Sequence, residues 1–175
     1  MHIEAKTLVR YGAMAGIAGG TLRILSTFVP YVPDSPGLEA LYGVIDALLM
    51  FGLMGIYFAV AGETGWTGLA GFVIAVTGLA SIVGPDPVRF GIDFYLAGSA
   101  CFLAGLAVLS AALIMSGRLR LPAGGWLVSF ALALTGAGTG QPVPIAASGA
   151  VCGLAFLLAG LAVSSSSAGP GRVRR

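Results

Sequence analysis

The chain has 175 residues, 57% of them hydrophobic and only 9% charged, with a formal net charge of +2. A soluble domain carries about 25% charged residues, so this composition excludes an ordinary water-soluble enzyme, a disordered chain and a disulfide-stapled secreted module. With a mean hydropathy of +0.97, the expected class is an all-α, polytopic integral membrane protein.

A spanning helix needs about 20 apolar residues at 1.5 Å rise. Residues 8–29 and 38–60 are each of that length. Between them three prolines and a glycine fall within eight residues, from Pro30 to Gly37, which ends one helix and starts another. The next break is Ala61-Gly62-Glu63-Thr64-Gly65, followed by a third segment over 66–84. Gly84-Pro85-Asp86-Pro87 closes it, and a fourth segment covers 91–115, most of it in the charge-free stretch from Phe94 to Gly117. The 51 uncharged residues from Leu121 to Gly171 are too long for one crossing. Pro142 and Pro144 divide them into segments near 121–138 and 145–163. The expected architecture is therefore one domain over 1–163 with six transmembrane helices. Residues 164–175 read as a flexible basic tail, with four serines, glycines and a proline before Arg172-Val173-Arg174-Arg175.

Loop cations set the expected orientation. With both termini cytoplasmic, Lys6, Arg10, Arg118, Arg120, Arg172, Arg174 and Arg175 lie inside and only Arg89 lies outside. The N-terminal segment reads as a retained helix rather than a signal peptide. Glu4 interrupts the basic region, and no sharp small-residue cleavage site follows. The expected location is a cell membrane of the bacterial inner-membrane type, and the lipid bilayer is the expected partner.

Small residues supply helix contacts in lipid, where hydrophobic driving force is weak. Gly12, Gly16 and Gly20 recur at four-residue spacing, and Ala97, Cys101 and Gly105 do the same in the fourth segment. Both are expected packing ridges, suited to a compact bundle, a homo-oligomer or contact with other membrane subunits. Cys101 and Cys152 lack CxxC spacing, and the one histidine is His2, so no metal, cofactor or serine–histidine hydrolase chemistry is expected. Nothing points to nucleic acid.

Ionisable groups within spanning segments are costly and normally face the bundle interior. Arg23 and Asp46 fall at about 9 Å and 12 Å from the outer side by helical rise, so an ion pair between the first two helices is expected. Glu39, Tyr42 and Asp46 share one helical stripe with Gly43, and Asp93 opens the fourth segment. Two readings compete. In one, the charges lock helices together while Glu39 and Asp93 cap helix ends. In the other, Arg23, Glu39, Tyr42, Asp46 and Asp93 line an outward-facing site for an ion, proton or small solute. The second reading makes the chain a transporter or channel; the first makes it a non-catalytic subunit that works by helix packing. An intramembrane aspartyl protease is disfavoured, because the contexts of Asp46 and Asp93 lack the Tyr-Asp and Gly-x-Gly-Asp motifs of the presenilin-like group. No Gly-Lys-Thr nucleotide loop is present.

A weak internal repeat completes the reading. Arg10-Tyr11-Gly12 and Ala18-Gly19-Gly20 recur 79 residues later as Arg89-Phe90-Gly91 and Ala97-Gly98-Ser99. A three-plus-three duplication places its halves in opposite orientations, as in many secondary transporters.

Overall fold

The computed structural model describes residues 5–30, 32, 35–82, 88–89 and 91–167. Its elements in chain order are α1 (Ala5–Ser26), α2 (Pro36–Ile82), β1 (Val88–Arg89), β2 (Ile92–Asp93), α3 (Phe94–Ser116), α4 (Arg120–Thr139) and α5 (Pro142–Ser167). The two short strands pair antiparallel, Val88 with Asp93 and Arg89 with Ile92.

Four of the described helices, α2 to α5, are long and apolar enough to cross a membrane, rather than the six expected. Two physical facts account for the difference. First, α1 carries Lys6, Arg10 and Arg23 together with its glycines, which dilute its apolar content below that of a free-standing span. Second, the segments expected over 38–60 and 66–84 are joined without a loop into the 47 residues of α2.

That long helix is not straight. Gly65 interrupts it at φ 57°, ψ −156°, a backbone region open essentially to glycine alone. Tyr57 and Phe72 flank the break and stack with ring centroids 4.1 Å apart and planes 8° from parallel. A straight helix would hold their backbones about 22 Å apart. The arms of α2, residues 36–64 and 66–82, therefore double back on one another, and Phe58 closes against Phe72 at 6.0 Å. The same bend is tied to the α3–α4 turn by an ion pair, Arg118 Nε to Glu63 Oε2 at 3.3 Å. Both side chains are about half exposed, so the pair fixes proximity but contributes at most about 1 kcal/mol.

Glycines set the distances between helices. Gly12 lies against Gly55, Gly16 against Gly52, and Gly19 against Leu48 and Leu49, which brings α1 onto the first arm of α2 at backbone contact. Gly20 turns instead to Gly153 and Leu157 of α5, and Gly160 of α5 meets Ala13 and Ile17. On the far side Gly71, Ala75 and Gly78 in the second arm of α2 meet Leu109, Gly105 and Phe102 of α3. Of the ridge expected at Ala97, Cys101 and Gly105, only Gly105 packs within the bundle, against Ala75. Ala97 and Cys101 are exposed, and the face α3 buries is Gly98, Phe102, Gly105 and Leu109. Small residues surround this helix on several sides, and the bulky Phe102 and Leu109 decide which side turns inward. Phe156, fully buried at the centre, receives the edge of Trp126 at 5.1 Å and the Phe102 ring at 6.2 Å.

The α3–α4 turn is tight. Gly117 adopts φ 76° and Leu119 φ 46°, while Gly117 and Arg118 amides donate to Ile114 and Leu113 carbonyls, the pattern of a left-handed helix stop. The expected serine linker is also corrected. Ser164 to Ser167 continue α5, and the Ser165 and Ser166 hydroxyls donate to the Ala162 carbonyl at 2.9 Å and 2.8 Å. A serine hydroxyl bonded to the carbonyl one turn back is satisfied within the helix. The basic residues 172–175 lie outside the described residues, as do Glu4, Asp86 and the side chain of Arg89.

Candidate functional site

Arg23 lies in the last turn of α1, where the helix dipole favours a cation. The hydroxyls of Ser26 and Thr27 both donate to the Arg23 carbonyl, at 2.9 Å and 3.2 Å, and so satisfy the frayed helix end. Continuing the Gly12–Gly55, Gly16–Gly52 and Gly19–Leu48 register one turn further sets Arg23 opposite residues 44–45 of α2. Asp46 is thus at nearly the same height, as its sequence position implies, and the Arg23 charge acts on it electrostatically.

The expected ion pair is not formed. Among the described residues no contact within 4.0 Å joins the two groups, and neither side chain has a hydrogen-bond partner. The Arg23 guanidinium instead lies over Gly149 of α5, where an added Cβ would stand 3.1 Å from Nη2 and 3.3 Å from Nε. Gly153, one turn further along, leaves room for the Arg23 stem. The reason for the difference is this bare strip of α5: a side chain at position 149 would occupy the place the guanidinium takes. Both charged groups are half-buried. The site is therefore a separated pair of opposite charges, with α1 carrying the donor fork, α2 the acceptor and α5 an open backbone floor.

The other expected site residues separate from this centre. Tyr42 is half-buried against the core, Glu39 is exposed in the first turn of α2, and Gly43 has nothing within 4 Å. Asp93 is exposed and caps α3: its Oδ1 accepts from the Leu96 amide at 3.0 Å. An Asp93→Ala change is expected to cost about 1 kcal/mol, read as a lower melting temperature with no change in ligand response.

Sequence reasoning missed a neighbouring polar group. Ser129 of α4 and Ser148 of α5 are both buried and exchange hydroxyl-to-carbonyl hydrogen bonds, 2.9 Å from Ser129 Oγ to the Ser148 carbonyl and 2.8 Å in the reverse sense. Their hydroxyls are 3.0 Å apart. The buried Cys152 thiol adjoins Ser129 and lies within the field of Arg23. Ser148 and Gly149 are consecutive, so this clamp holds the strip of α5 beneath the guanidinium. A hydroxyl midway along each of two otherwise apolar helices was the available signal. Cys101 and Cys152 are both free.

Three further buried polar atoms, Ser110 Oγ, Trp126 Nε1 and Ser164 Oγ, have no partner among the described residues. Ser110 precedes the end of α3 by six residues and Trp126 follows the start of α4 by six, which sets them level on adjacent antiparallel helices. The best-formed concavities are shallow and lie at the Gly65 bend, with volumes of about 260 Å³ and 270 Å³. Tyr57, Trp66 and Leu69 line the first; Glu63, Thr67 and Met115 line the second. No group of three or more His, Cys, Asp or Glu side chains suited to a metal ion occurs among the described residues.

No protein-family model matches the chain, and neither a curated protein nor a solved structure is similar to it.

Proposed function

We propose that this chain is a six-crossing membrane protein carrying a ligand site for a small polar solute or ion in the outer half of its bundle, centred on Arg23 and Asp46, as an ion- or solute-coupled carrier or channel requires. The observation that carries the reading is the separated, unpartnered charge pair. Opposite charges meant only to lock two helices gain most by direct contact. Here they are level, half-buried and apart, so each retains unsatisfied hydrogen-bonding capacity at a depth where lipid supplies none.

The six-crossing topology draws support from the doubling back of α2 at Gly65, which gives two antiparallel rods, and from α1 packed at backbone contact between α2 and α5. The Glu63–Arg118 pair agrees with two crossings between those turns, which puts them on the same side; cytoplasmic termini rest on the loop cations alone. An inverted duplication agrees with the exchange of partners between halves: α1 meets α5, and α3 meets the second arm of α2, both through glycines. The 79-residue offset is not kept in detail, since α3 begins well beyond the place a shift of Ala5 assigns.

A second reading, a packing subunit without a ligand, is favoured by the shallow concavities at the opposite end. Gly43, Gly124 and Gly138 also have nothing within 4 Å, which leaves flat approaches for another helix. The Asp46→Asn change separates the two. The carrier reading expects a melting temperature within about 2–4 °C of the parent, equivalent to about 1 kcal/mol, and loss of sodium- or proton-driven flux in reconstituted vesicles. Flux no greater than that of protein-free vesicles, with Asp46→Asn damaging folding instead, favours the packing subunit.

A further inference from the structure

We infer that the Arg23–Asp46 site takes a zwitterionic ligand, one that presents a phosphate or carboxylate to Arg23 and an ammonium group to Asp46. This inference rests on the proposed reading of the pair as an open site and names the ligand class that its two charges favour.

The argument is one of charge complementarity. The Arg23 guanidinium carries five N–H donors in a planar fork, and an ionised Asp46 only accepts. A bare cation at Asp46 leaves Arg23 uncompensated and adds repulsion to it. A bare anion at Arg23 meets repulsion from Asp46. A ligand carrying both charges satisfies both groups without changing the net charge of the site, which is the least costly occupancy at membrane depth. A planar donor fork also matches the oxygens of a phosphate or carboxylate bidentately, whereas an ammonium group matches a carboxylate. The floor of the site is backbone: Gly149 places no side chain beneath the guanidinium, and the Ser129–Ser148 exchange fixes that turn of α5. The Ser26 and Thr27 hydroxyls are turned back onto the Arg23 carbonyl, so they leave the guanidinium donors to a ligand. The same chemistry is offered by the headgroup of an ethanolamine phospholipid and by a free zwitterionic solute.

The test is thermal unfolding of the purified full chain in a maltoside detergent. The probes are phosphoethanolamine, a short-chain phosphatidylethanolamine, glycerol phosphate as anion alone and ethylammonium as cation alone. A rise of about 2–4 °C is expected with one or both of the two-charge probes. It should be lost in Arg23→Gln and in Asp46→Asn, and reduced in Gly149→Ala, which crowds the guanidinium while keeping both charges. A response to phosphoethanolamine assigns a free solute; a response to the phospholipid alone assigns a lipid headgroup. If glycerol phosphate acts through Arg23 alone, or ethylammonium through Asp46 alone, the zwitterion is overturned while the site stands. No response to any probe, or one that persists in all three variants, overturns both. Should Arg23→Gln fail to fold, Gly149→Ala and Asp46→Asn still decide the outcome.

Discussion

Replacing Gly20 with leucine is expected to push α1 off α5 and lower the melting temperature by about 5–10 °C, equivalent to about 2–3 kcal/mol. A side chain there meets the Gly153 carbonyl, the Leu157 amide nitrogen and the Phe156 Cβ. Two of these three are backbone, which cannot rotate aside. The loss should be large because α1 is not among the helices apolar enough to cross a membrane on their own and depends on close contact with its neighbours. Gly124→Ala is the matched control: nothing lies within 4 Å of Gly124, so the added methyl should leave the melting temperature unchanged or raise it slightly. Equal losses in both variants would show that interhelical clearance at Gly20 does not govern the response.

Gly65→Ala is expected to be damaging although nothing lies within 4 Å of the glycine. Its cost is strain: an L-residue held at φ 57°, ψ −156° is destabilised by about 1–3 kcal/mol, and relaxing toward helical angles straightens α2. The reporter is a pair of cysteines replacing Tyr57 and Phe72, whose rings stack at 4.1 Å. Oxidation should cross-link them efficiently in the parent background and poorly beside Gly65→Ala. Gly62→Ala, close to the end of the first arm and free of neighbours within 4 Å, should leave the cross-link intact. A cross-link undiminished by Gly65→Ala would mean that the turn does not depend on this conformation.

The helix limits were legible because prolines, glycines and charges interrupt an otherwise apolar chain. The expected segment over 145–163 falls inside α5, and that over 121–138 inside α4. The Gly62–Gly65 interruption was legible as a break but not as a turn of one residue, because nothing in composition distinguishes a loop from a single glycine at positive φ. The heights of Arg23 and Asp46 followed from counting residues. Their failure to touch did not, since it depends on Gly149, which stands 126 residues from Arg23 in the chain. Ala97 and Cys101 were misassigned because residue size alone marks a packing face poorly when every side of a helix bears small residues. The Ser129–Ser148 exchange escaped notice for a related reason: 19 residues separate its members, and neither has a local pattern to announce it.

The contact between α1 and α5 has a consequence for biogenesis. Translation makes α1 well before α5, so Gly20 waits for Gly153 until α5 has emerged. Until then the weakly apolar α1 is held by α2 alone. A nascent chain that has not yet reached Pro142 therefore holds Gly20 with its α5 contact still unmade.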